Sequence, residues 1–369
     1  MIYLNNAATS YPKPPSIVEA VAEALRSAPR SALRSSMGGD DTLSLLRQRL
    51  GTLFHIADHD RIFFASGATD ALNRLVGGVE NPILATTDNH NSVLRPISNG
   101  QGQRSVDVMP YSRVLQQLAD DHGALQGTIL IIPHGTNVTG HIHDMASLCH
   151  SAHEHGMLVC ADVAQSAGCI PIDVDGWGID MLAFTGHKAL FGPQGTGGYY
   201  VRRGIDLRPT VFGGTGRDST VVTYANDDWE YEVGTQNIPG LAGLKAGVDE
   251  VLQQGVEAIF AKGNAQANRL IQALRAIPHV TVYSEGGEWQ GPVVSFNISG
   301  LLPSDVGYML QNSYGITVRT GLHCAPYIHK ELLTYPHGTV RASLSCHTTD
   351  ADLQVLVDAI GEISASIVR

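Results

Sequence analysis

Thr128-Ile-Leu-Ile-Ile-Pro133 carries no charge, is built from β-branched and aliphatic residues, and is stopped by proline. A run so short and so uniformly apolar has no polar face, so it reads as a strand buried on both sides, as in a parallel sheet covered by helices. Working outward, similar short runs recur at Arg61–Ala65, Ile83–Thr86, Met157–Ala161, Met181–Phe184 and Gly198–Val201. Helical patterns such as Thr69–Val76 and Met145–His155 lie between them. Strands alternating with helices predict an α/β fold with a mostly parallel sheet, whose ligands sit beyond the carboxyl ends of the strands.

After Gly247 the pattern changes. A helix is expected across Val256–Ile277, strands near Val280–Tyr283 and Val293–Asn297, a helix over Ser304–Tyr314, a strand at Thr317–Arg319, another at Val340–Ser343, and an amphipathic helix from Asp350. That is a second, α+β module of ordinary domain size. The Pro-rich start around Tyr11-Pro-Lys-Pro-Pro15 reads as an arm or linker.

The chain has 369 residues, 43% of them hydrophobic and 16% charged, with a formal charge of −11. The length asks for about two domains, and the acidic balance argues against nucleic acid as the main partner. No run reaches membrane-spanning length, and Met-Ile-Tyr-Leu-Asn-Asn is not a charged leader before an apolar stretch. Five cysteines without CxxC spacing (Cys149, Cys160, Cys169, Cys324 and Cys346) suit free thiols in a reducing cytoplasm. His141/His143 and His153/His155 read as exposed positions, and no zinc quartet is evident among the sixteen histidines.

Chemistry concentrates after the strands. Phe184-Thr-Gly-His-Lys-Ala-Leu-Phe-Gly-Pro-Gln-Gly-Thr-Gly-Gly198 places Lys188 between an apolar strand and a glycine-rich turn. A desolvated lysine there can act as a neutral amine nucleophile, although spacing alone favours a surface lysine. Ser66-Gly-Ala-Thr69 follows another strand and offers free N–H groups to an anion, or simply caps a helix. Asp162 ends a strand, where its carboxylate needs a cation such as a protonated pyridine nitrogen, or equally caps the next helix. Thr185 and His187 can donate to a phosphate, Asn137 offers an amide, and His90 presents a flat ring or is merely exposed.

Taken together, these motifs resemble the class V family of pyridoxal-phosphate enzymes, and most closely its cysteine desulfurase and selenocysteine-lyase-like branch. The resemblance runs from Asn5-Asn-Ala-Ala-Thr9 to Arg341-Ala-Ser-Leu344. It implies the fold type I architecture: an N-terminal arm (1–14), a large cofactor-binding domain (15–250) on a mostly parallel seven-stranded sheet, and a smaller C-terminal α+β domain (251–369). It also implies a homodimer with active sites at the interface.

Residue by residue, the likeness makes Lys188 the lysine that carries pyridoxal 5′-phosphate and Asp162 the partner of the ring nitrogen. Gln165 and Asn137 would contact the phenolic oxygen side, and His90 would stack on the ring. Ala68, Thr69, Thr185 and His187 would hold the phosphate, which Thr235 of the neighbouring subunit would complete. Arg341 would pair with the substrate carboxylate, a task that suits a bidentate guanidinium.

Arg319-Thr-Gly-Leu-His-Cys-Ala-Pro326 narrows the reaction. Cys324, in a loop beside His323, is read as exposed and partly thiolate, against the commoner fate of a buried, inert thiol. Matched to the desulfurase motif, Cys324 would take sulfur from L-cysteine as a persulfide with release of alanine, and selenocysteine would follow the same path. A sulfur-acceptor protein would then clear the persulfide. The other four cysteines read as structural. Competing expectations are a class V aminotransferase or C–S lyase in which Cys324 is incidental, a non-catalytic sulfur-trafficking partner, and a metal site from His323, Cys324, His329 and His347. Three departures from the family pattern stand out: Asn5 where Asp is usual, the stretch Pro29–Gly38 without its Gly-Arg pairing, and Ser345-Cys-His-Thr348 without an Asn.

Overall fold

The computed structural model describes residues 1–27, 42–100, 104–120, 125–214 and 231–366. The atypical stretch at 29–38 lies outside them.

Leu130 and Ile132 point into one apolar core and Ile129 and Ile131 into another. Alternation along a strand sends neighbours to opposite faces, so an unbroken apolar run is what a doubly covered strand requires. The same division recurs next door, with Leu182 and Phe184 on one side and Met181 and Ala183 on the other. The resulting sheet has seven strands, in the order Ile62–Ala65, Gly197–Val201, Met181–Thr185, Leu158–Asp162, Ile129–Pro133, Ile83–Thr86, Val106–Met109. Gly197–Val201 runs antiparallel to both its neighbours, and every other pairing is parallel. Parallel strands end on one edge, so the turns after them gather at that edge.

A third core lies under a four-stranded antiparallel sheet, ordered Arg319–Gly321, Thr339–Ser343, Val293–Ile298, Val280–Val282. It is covered by the helices Val256–Arg275, Pro303–Tyr314 and Asp350–Ser366. Leu4 belongs to this core, and the strand Ile2–Tyr3 pairs in parallel with Ile316–Thr317. The boundary expected at 250 falls inside the helix Ile238–Gln254.

Several expectations need correcting. The edge strand Val106–Met109 was not anticipated: only half-buried, it lacks the apolar run that marks the interior strands. The single strand expected at Thr317–Arg319 is two, one pairing with the N-terminal arm and one joining the small sheet. Pro15 is not linker but opens the helix Pro15–Arg26, where its fixed φ and missing N–H cost nothing. His143 is buried, its Nε2 2.7 Å from Asp88 and its ring against Tyr111. His153 is half-buried, 3.0 Å from the buried Asp180, and His155 bonds the Ser151 carbonyl. No described helix is long and apolar enough to cross a membrane.

Candidate active site

Five turns leaving the carboxyl edge of the large sheet, with two arginines from the small one, enclose a cavity of about 400 Å3. Ser66 to Thr69 follow the first strand; Asp88 and His90 follow the strand Ile83–Thr86; Asn137, Asp162 to Gln165, and Thr185 to Lys188 follow the three central strands. Arg319 and Arg341 face them from the small sheet. The structure therefore brings together all the expected cavity residues except two. Thr235 is exposed and is absent from the cavity of its own chain. Cys324 stands beside the cavity wall rather than on it, joined to it through Arg319.

Lys188 sits where burial and the guanidinium groups of Arg341 and Arg319 all favour the neutral amine. Against the pull of Asp162, its pKa is pushed down to about 8. Asp162 is buried, and burial raises its pKa while the Ala164 N–H (2.9 Å) and Lys188 oppose the rise. Such a carboxylate favours a cationic N–H donor in the cavity. His90 caps the helix Asn91–Asn99: its Nδ1 accepts from the Ser92 N–H at 3.0 Å, which leaves the proton on Nε2. Burial, then Lys188 and the nearby arginines, lower its pKa to about 4, so it is a neutral flat ring.

At the far side, Gly67 (φ 146°) precedes the helix Ala68–Gly78, a backbone conformation that favours glycine. The first residues of that helix line the cavity beside the buried Thr185 and the half-buried His187, whose Nδ1 has no partner among the described residues. Burial, then Lys188 and Lys13, push the His187 pKa down to about 4. Helix-start N–H groups with hydroxyl and imidazole donors make a site for a phosphate.

Arg341 is fully buried. Its Nη1 donates to the Asn137 carbonyl at 2.8 Å, but Nε and Nη2 have no partner among the described residues. Burial, then Arg319, lowers its pKa to about 9. An uncompensated guanidinium at a cavity wall is costly, and a carboxylate taking both free N–H groups removes that cost. These orphaned donors, the buried Asp162 carboxylate and the depressed lysine fit a phosphorylated pyridine aldehyde together with an α-amino acid.

The loop carrying Cys324 is held in an unusual shape. His323 (φ 50°) and Cys324 (φ 60°) are both left-handed, a conformation costing about 1–3 kcal/mol per non-glycine residue. Two bonds hold it: Asn137 Nδ2 donates to the His323 carbonyl and the Asn91 N–H to that of Cys324, each at 2.7 Å. Asn137 thus links this loop to Arg341 rather than standing free in the cavity.

His323, the thiol's neighbour in sequence, is not a cation beside it. Its ring is buried against Thr339, and burial, then Arg341, push its pKa to about 2. The cation is Arg319, whose Nη2 lies 3.2 Å from the Cys324 sulfur. Arg319 opens the quoted motif and was readable there as an arginine near a cysteine; its contact with the sulfur was not. Asp88 and its partner His143 were also missed, since residues 55 apart in sequence give no local signal.

Burial pushes the thiols of Cys149 and Cys169 up to about 12 and raises those of Cys160 and Cys346. The metal alternative finds no support in placement: His347 packs on Phe191, and no three His, Cys, Asp or Glu side chains converge among the described residues.

With this geometry in hand, comparison with known proteins is informative. The family model for aminotransferase class V matches residues 2–356. A probable cysteine desulfurase of Methanothermobacter thermautotrophicus is 29% identical, over 98% of this chain and 94% of its own. A cysteine desulfurase of Klebsiella pneumoniae is also 29% identical, over 98% of this chain and 93% of its own. Among solved structures, the apo cysteine desulfurase of Thermococcus onnurineus superposes with a TM-score of 0.86 at 26% identity, covering 99% of this chain and 95% of that one.

Proposed function

The chain belongs to the aminotransferase class-V family, and on that premise we propose that it is a pyridoxal-phosphate-dependent cysteine desulfurase. The proposal assigns L-cysteine as substrate, L-alanine as product, and Cys324 as the sulfur carrier. The observation that carries it is the pairing across one cavity of a depressed Lys188 with Arg341, whose buried donors lack a partner. Bound at the cavity, pyridoxal 5′-phosphate supplies an aldehyde and an electron-withdrawing pyridinium ring.

The assigned roles follow from each group's surroundings. Lys188 carries the cofactor and, as a neutral amine, moves the substrate's α-proton. Asp162 would hold the proton on the ring nitrogen, and the neutral His90 would offer its ring for stacking. Gln165 and Asn137, both lining the cavity, would face the phenolic oxygen side of the cofactor. Ala68, Thr69, Thr185 and His187 hold the phosphate, and Thr235, exposed in its own chain, is free to reach a second copy in a homodimer. Arg341 takes the substrate carboxylate through Nε and Nη2.

Cys324 attacks the substrate sulfur: the Cβ–S bond breaks, an S–S bond forms, and the thiol proton ends on the alanine methyl. Arg319 holds a positive charge against the attacking sulfur. A persulfide made this way needs a thiol acceptor, here an acceptor protein in a reducing cytoplasm. The direct test is alanine release from L-cysteine by the protein loaded with the cofactor, with and without a reductant. Absence of alanine in both would overturn the proposal.

Two further outcomes are expected. Arg341→Lys keeps a charge but loses the two-pronged donor, so KM for L-cysteine should rise about 10–100-fold, the worth of a charged hydrogen bond. An unchanged KM would remove the carboxylate from Arg341. Because only neutral Lys188 attacks an aldehyde, the rate of cofactor capture by the apoprotein should climb with pH and level off above about 8. A rate flat from pH 6 to 9 (about the range over which such an amine titrates) would place the reacting amine elsewhere.

A further inference from the structure

The carbonyl oxygen of His187, the residue before Lys188, lies within hydrogen-bond distance of four donors of one short segment. They are the Ser10 N–H (3.1 Å), Thr9 Oγ1 (3.1 Å), Ser10 Oγ (3.2 Å) and Lys13 Nζ (2.9 Å). Two lone pairs are all a carbonyl has, so this exceeds what satisfying one peptide requires. Ser10 Oγ has one proton, and its shorter contact is to the next carbonyl, that of Lys188, at 2.7 Å. It also accepts from Lys13 Nζ at 2.8 Å. The carbonyls on both sides of the Lys188 α-carbon are therefore held by residues 9 to 13.

Lys13 is a costly choice for mere anchoring. It is half-buried, burial pushes its pKa down to about 8, and no carboxylate pairs with it among the described residues. Desolvating an ammonium without a counter-charge is unfavourable, and its donors go instead to Ser10 and the His187 carbonyl. The same segment reaches the substrate side. Gln165 Nε2 donates to the Ala7 carbonyl (3.1 Å), the Ala7 N–H to Ser343 Oγ (2.9 Å), and Asn6 Nδ2 to the Ser343 carbonyl (3.0 Å). Ser343 lies on the strand of Arg341, two residues further on.

We propose that Ser10 and Lys13 are positioning residues: they fix the peptide units around Lys188, and the segment 6–13 keeps its amine in register with Arg341 across the cavity. This rests on the reading of Lys188 as the lysine that carries the cofactor. Neither residue lines the cavity, so the effect should appear in how fast Lys188 reacts and not in how tightly substrate binds.

The test uses the full-length apoprotein and pyridoxal 5′-phosphate at saturation, following the absorbance of lysine-bound cofactor, then steady-state turnover of L-cysteine. Lys13→Met should slow the appearance of that absorbance and lower kcat by about tenfold or more, the usual consequence of a misplaced reacting group, with KM changed less than about twofold. Lys13→Arg, which keeps a cation and donors, should restore most of both. Ser10→Ala should lower the same two quantities, and the thermal midpoint of the apoprotein should hold in every variant. Wild-type rates in Lys13→Met, a loss confined to KM, or a loss that merely tracks a falling thermal midpoint in all three variants would overturn the positioning role. If the wild-type protein itself gives no Lys188-dependent absorbance, the reading of Lys188 fails and this inference falls with it. Normal absorbance in wild type and in Lys13→Met sinks the positioning role alone.

Discussion

Lys188→Ala is expected to abolish alanine formation from L-cysteine, a loss on the order of 10^2–10^4-fold for the proton-transfer role alone. The absorbance of lysine-bound cofactor should vanish with it. Both follow from one setting: a lysine at the carboxyl end of the central strand Met181–Thr185, with its pKa lowered to about 8 by burial and two arginines. The variant should still fold and retain the turn at Ser66 to Thr69, because the Lys188 side chain belongs to none of the three cores. Persistent alanine formation at the wild-type rate would mean that another amine carries the chemistry.

Cys324→Ala should have the second large effect, and a different one. Alanine formation should fall on the order of 10^2-fold or more, as expected when a covalent nucleophile is removed, while the lysine-bound absorbance stays at its wild-type level. The separation is possible because Cys324 stands beside the cavity, at Arg319, and not among the residues lining it. Unchanged alanine formation would make the cysteine incidental and favour the aminotransferase or C–S lyase alternative. Arg319→Ala should combine two effects, since it removes the cation from the sulfur and also one of the charges that lower the Lys188 pKa.

What could be read in the sequence was what burial on both faces writes into it. Ile129–Pro133 and Met181–Thr185 are legible because a covered parallel strand has no polar side. Since those strands end on one edge, the turns carrying Asn137, Asp162 and Lys188 had to converge. Val106–Met109 escaped because an edge strand exposes part of itself and loses that signature. The loop of Cys324 was half legible. Gly321 and Pro326 flank a turn, but the left-handed pair His323–Cys324 and the burial of the His323 ring arise from distant partners: Asn91, Asn137 and Thr339. Sequence adjacency favoured His323 as the thiol's neighbour; strand geometry gave that place to Arg319, five residues away. The partnerless donors of Arg341 likewise emerge only once the small sheet faces the large one.

The most direct measurement is peptide mass mapping of the cofactor-loaded protein after exposure to L-cysteine without reductant, with alanine quantified in the same sample. One added sulfur atom on the peptide that carries Cys324, with alanine formed in equal amount, is the predicted result. Alanine formed with Cys324 unmodified, or with the sulfur on Cys149, Cys160, Cys169 or Cys346, would contradict it.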